Sequence, residues 1–131
     1  MRLLLIAATL LALHTPAVAG PEIHVRIASV TDAAERAAHV ALVKKSLAAL
    51  EAKAIDVVVT KLVVLASGEV SARIEVVLST PGGMRSIASG TAKFIATKEQ
   101  LRNHSALRKE ALNYALDALH RRVRTSRFAG A

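Results

Sequence analysis

Residues 55–65, IDVVVTKLVVL, and residues 70–80, VSARIEVVLST, are joined by ASGE at 66–69. Both stretches are rich in β-branched side chains, and the link carries the small and flexible residues of a tight turn, so the segment reads as a β-hairpin. With Ser67-Gly68 as a two-residue turn, Leu65 opposes Val70, Val63 opposes Ala72, Lys61 opposes Ile74, Val59 opposes Val76 and Val57 opposes Leu78. All but Lys61 are apolar, as one buried face of a paired ribbon requires. Lys61 is then expected to reach past the sheet margin into water, or to guard an exposed edge.

A second turn at Thr80-Pro81-Gly82-Gly83 leads into a third strand, Met84 to Ala96. Its expected inward residues are Met84, Ser86, Ala88, Gly90, Ala92 and Phe94, small except at the ends, which suits a closely approaching helix. Gly90 is read as a point of such approach or as a bulge.

Upstream, Ile23, Val25 and Ile27 alternate with polar residues as a half-buried strand over Ile23–Val30. Asp32 and Glu35 stand at capping-box spacing before a helix expected to reach Lys53, with Val40, Val43, Leu47 and Leu50 as its apolar stripe. Downstream, Thr97 and Gln100 form a second box. The helix behind it carries Leu112, Leu116, Leu119 and Val123 and is expected to end near Arg124, with a break at Asn103-His104-Ser105 where Ser105 offers a new cap. The order β-α-β-β-β-α predicts an α+β sandwich, a four-stranded antiparallel or mixed sheet with two helices on one face. The helix, three strands and helix superficially resemble a double-stranded-RNA-binding domain, but no basic signature opens the last helix and the resemblance is set aside.

The first nineteen residues have a different character. Arg2 precedes an apolar run from Leu3 to Leu13, then Pro16 and the small-residue triplet Ala17-Val18-Ala19. This is the order of a cleavable secretory leader, and the run is shorter than the roughly 20 apolar residues a membrane-spanning helix needs. The expected organisation is a leader at 1–19, a single domain at 20–124 and a flexible tail at 125–131, with the product soluble in the periplasm or the medium. The chain has no cysteine, which excludes disulfides, thiolate metal sites, thiol nucleophiles and lipoprotein anchoring.

Sites are sparse. His24, His39, His104 and His120 show no short helical metal-pair spacing, and HExxH, GxSxG and phosphate-loop motifs are absent. No catalytic, cofactor or metal site is assigned, and an unrecognised hydrolase is the least favoured reading. It would be revived by a pocket in which His24 meets a carboxylate and a serine.

Two surfaces remain. The sheet face away from the helices is expected to carry Val58, Leu62, Val64, Val77 and Ile87, more apolar than a solvated face requires. It is the candidate partner face of a small exported binding or adaptor domain of the cell envelope, toward an envelope protein or a second copy. The chain's net charge is +8, and Arg108, Arg121, Arg122, Arg124 and Arg127 crowd the last helix and tail. They are candidate contacts to a polyanion such as lipopolysaccharide, anionic lipid or nucleic acid. Tyr114, Phe94 and Phe128 are the only aromatic residues, few for a base-stacking platform.

Overall fold

The computed structural model describes residues 20–130, with side-chain surroundings as far as Arg124; the leader expected at Met1–Ala19 lies outside the described residues. The elements are β1 (Glu22–Ile27), α1 (Ala33–Leu47), β2 (Ala54–Val64), β3 (Glu69–Ser79), β4 (Arg85–Ile95) and α2 (His104–Gly130), with a 3₁₀ turn at Gln100–Arg102. They form an α+β fold with a mixed sheet in the order β1-β2-β3-β4. β1 and β2 are parallel, and the other two pairs are antiparallel. The α1 crossover serves the parallel pair, because strands running the same way cannot be joined by a tight turn.

The hairpin departs from its expected register. The loop has three residues, not two. Gly68 N–H donates to Leu65 O at 2.9 Å, Leu65 N–H donates to Glu69 O at 2.9 Å, and Gly68 has φ +98°. This is a turn closed by a glycine in the left-handed region, and it displaces the pairing by one residue, so that Val64 opposes Val70 and Leu62 opposes Ala72. Such a slip turns every β2 side chain over. A bulge at Thr60, between Val59 and Lys61, turns the earlier half back. Leu62 and Val64 therefore belong to the core side with Ile55, Val57 and Val59. Lys61 is exposed, and it opposes Arg73 on the outer face.

The ends of elements also shift. α1 stops at Leu47 instead of Lys53, and Leu50 meets the core from the turn that follows. The reciprocal Thr97–Gln100 box forms, but it heads the 3₁₀ turn. Asn103, not Ser105, caps α2, its Oδ1 accepting from Ala106 N–H at 3.1 Å. α2 runs on to Gly130, beyond the expected end at Arg124; no proline or glycine interrupts it before that residue. Met84 lies in the second turn, 74% exposed, not in the core.

The core lies between the sheet and the helices, with Leu47, Ile55, Ile74, Leu112, Leu116 and Leu119 among its largest buried side chains. α2 crosses β4 so closely that a Cβ at Gly90 would fall within the van der Waals envelope of Ala115 O and 2.8 Å from Leu119 N. The β3–β4 register is unbroken there, so Gly90 serves helix approach rather than a bulge.

Candidate functional site

Three arrangements have the chemistry to be considered. The first joins the two helices. Asp32 caps α1 by accepting from Glu35 N–H at 2.8 Å, which leaves the Glu35 side chain free to turn toward α2. Arg108 donates to both Glu35 oxygens at 2.5 Å, a bidentate pair. His39, one turn beyond Glu35 on α1, donates Nε2–H to the same carboxylate at 2.9 Å. Glu35 is 9% exposed and His39 3%. The Arg108 guanidinium, acting against the cost of burial and helped by His39 and Ser105, holds the Glu35 carboxyl well down, at about 2. Arg108 is correspondingly raised by its bond to Glu35. Arg108 is thus part of an interhelix clip and is withdrawn from the set of polyanion contacts.

Ser46 Oγ and His120 Nε2 form the second arrangement, sharing a hydrogen bond at 2.9 Å between the same two helices. Glu35 with Arg108 and Ser46 with His120 advance along both helices in the same direction, so α1 and α2 lie side by side and parallel. Both residues of the second pair sit inside helices, where backbone N–H groups are already committed and cannot stabilise an oxyanion. His24 meets Glu22 at 3.1 Å on the exposed end of β1, with no serine in the group. Among the described residues, no group of three or more His, Asp or Glu side chains is placed to hold a metal.

The third arrangement is the outer sheet face. Both helices pack on the opposite side, and among the described residues no element covers this one. Val77 stands between Asp56 and Ile87, and Val58 between Arg26 and Glu75, so Val58 and Val77 are diagonal neighbours. Ile87 is 81% exposed and Ile95 71% exposed. Of the five residues expected on this face, Val58, Val77 and Ile87 are brought together. Leu62 and Val64 are not, because the bulge at Thr60 sends them inward. Charged residues interleave with the apolar ones: Arg73 pairs with Glu75 and Lys93 with Glu69, both at 3.2 Å.

The remaining basic candidates lie late on α2. Arg122 and Arg124 are exposed, and Arg122 donates to Ser89 Oγ on β4 at 3.3 Å. Arg121 is exposed as well, and the side chain of Arg127 lies outside the described residues. The Glu35 clip was missed in the sequence, although the i, i+4 spacing of Glu35 and His39 was present; its third member comes from 73 residues away. No helix among the described residues is long and apolar enough to cross a membrane. No protein-family model matches the sequence, and no curated protein is significantly similar to it.

Proposed function

We propose that this is an exported, non-catalytic binding domain of the cell envelope, acting by protein–protein contact through the uncovered sheet face. The carrying observation is the contiguous set Val58, Val77 and Ile87 on a face that, among the described residues, no helix covers and that adjoins β4, the edge strand of the described sheet. An eleven-residue edge strand offers unpaired backbone groups to an extended segment. The partner that fits has apolar side chains at alternate positions, set against Val77 and Ile87. The two histidine arrangements support a non-catalytic reading: one imidazole is consumed in an ion-pair clip, and the other lies between two helix interiors. Export rests on the leader pattern at Met1–Ala19 and is tested by the N-terminal residue of protein recovered from the envelope, expected to be Gly20.

The deciding experiment places a photocrosslinking residue at Ile87 and recovers adducts from the envelope. A discrete protein adduct, lost on Val58→Arg or Val77→Arg while the melting transition persists, supports the reading. A monomeric protein without any adduct overturns it.

A second reading, polyanion binding by the basic end of α2, is favoured by the exposure of Arg122 and Arg124. Salt separates the two: polyanion affinity falls steeply with ionic strength, whereas an apolar contact barely responds.

A further inference from the structure

The two edges of the described sheet are unlike each other. β1, at one edge, has six residues, and its exposed side chains are Glu22, His24 and Arg26, polar groups that discourage further pairing. β4, at the other, has eleven residues, pairs with β3 without a register shift and contains no proline. Four of the five large apolar side chains exposed in the described fold stand at this second edge. Ile87 and Ile95 are on β4, Met84 precedes it, and Tyr114 of α2 meets Phe94 of β4 edge to face, with ring centroids 5.7 Å apart.

The hydrogen-bond alternation identifies the free backbone groups of β4. Thr80 N–H donates to Met84 O and Ala96 N–H donates to Gly68 O, so the even-numbered residues between them bond to β3. The odd-numbered residues from Arg85 to Ile95 turn their N–H and C=O groups to the outer edge, where among the described residues no backbone partner meets them. Their side chains share the outer sheet face. Arg122 reaches over from α2 to Ser89 Oγ at 3.3 Å, a side-chain contact that leaves this backbone row unpaired.

Ile87 and Ile95 are equidistant from Thr91 along the strand. Antiparallel two-fold pairing of β4 with itself about Thr91 sets Ile87 of each copy opposite Ile95 of the other, Ser89 opposite Lys93, and Thr91 opposite Thr91. Odd residues then meet odd residues, as the free backbone groups require. Val77, Ile87 and the second copy's Ile95 form one apolar row, and Lys93 faces the second copy's Glu75 across the small Ser89. An axis at Ser89 would set Arg85 against Lys93, and one at Gly90 would set Ile87 against Lys93; β4 has no acidic residue to offset either.

We propose that β4 pairs antiparallel with β4 of a second copy about a two-fold axis at Thr91, joining the two four-stranded sheets into one. The proposal rests on the partner-face reading and names the occupant of that face.

Sedimentation equilibrium of the purified protein is expected to show a monomer–dimer equilibrium. Ile87→Glu and Ile95→Lys, both at exposed positions, are each expected to weaken the dimer roughly tenfold or more while circular dichroism stays unchanged. Mixed in equal amounts, the two variants are expected to associate again, because the introduced charges meet as opposites and one Ile87–Ile95 pair remains intact. The chain has no cysteine, so Thr91→Cys supplies a single thiol at the axis. On oxidation it is expected to crosslink roughly tenfold faster than Ser89→Cys, whose two copies stand about 14 Å apart. A dimer that survives both charge substitutions, a mixture no more associated than its components, or equal crosslinking at the two positions overturns the proposal. A monomer at every concentration whose Ile87 photoadduct is a different envelope protein overturns it while the partner-face reading stands. A monomer with no adduct overturns both.

Discussion

Both oxygens of Glu35 accept hydrogen bonds from Arg108, at 2.5 Å each, and this pair ties the start of α1 to the start of α2. Its consequence is an acid-sensitive helix contact. The Glu35 carboxyl is lowered in the folded protein from 4.5 to about 2, chiefly by the Arg108 guanidinium. A depressed carboxyl contributes stability that is present above its unfolded value and is lost as pH falls toward the folded one. Denaturant unfolding followed between pH 6 and pH 2 should therefore show stability falling below about pH 4.5, by on the order of 2–3 kcal/mol from this group. Glu35→Gln should remove most of that contribution at neutral pH and flatten its share of the acid limb.

Gly90 should resist substitution more than any exposed β4 position. A methyl group there collides with the backbone of α2 at Ala115 and Leu119, and backbone cannot rotate aside as a side chain can. Gly90→Ala is expected to lower stability by about 1–3 kcal/mol, the usual cost of overpacking. Thr91→Ala, on the neighbouring exposed position, should stay within about 0.5 kcal/mol. Paired thermal melts check both.

The bulge at Thr60 makes a sharp distinction between adjacent residues. Leu62 is 2% exposed, while Lys61 is exposed. Leu62→Ala should cost about 2–5 kcal/mol by opening a cavity. Lys61→Ala should cost less than about 0.5 kcal/mol. The unbulged two-residue hairpin gives the reverse order, so chemical denaturation of the two variants tests the register directly.

Asn103→Ala should destabilise α2 by about 1 kcal/mol, because the Ala106 N–H loses its side-chain acceptor. Asn103→Asp should retain the cap. Amide exchange at the first turn of α2 reports the difference locally.

The fold class was legible because its elements are strongly patterned. Alternation in β1 and β3, two capping sequences, and the small residues of β4 all pointed to one arrangement, and Ile23, Val25, Val70, Ile74 and Val76 face inward as their spacing implies. The hairpin register was not legible. Ala66-Ser67-Gly68 accommodates a two- or a three-residue loop, and nothing local in β2 distinguishes a bulged threonine from a regular one. That ambiguity propagated directly into the candidate face: Val58, Val77 and Ile87 emerged together, while Leu62 and Val64 were assigned to the wrong side. Long-range polar contacts were equally hidden. Arg108 looked like a surface cation because its partner lies on another helix, and no charge count reveals which arginine meets a buried carboxylate.

The bulge also decides where β2 can tolerate a shorter chain. Thr60 is the residue with no opposite number on β3, lying between the Val59–Ile74 and Lys61–Arg73 pairs. Deleting it would leave both halves of the strand facing as they do now and would convert the kink into regular pairing. Deleting Val58 instead would also let the bulge close with Ile55 and Val57 facing inward, but it would put Thr60 in the interior in place of Val59. Loss of the threonine is therefore the one-residue shortening here that leaves every interior side chain of the strand in place, and a homologous chain lacking it would retain the same interior.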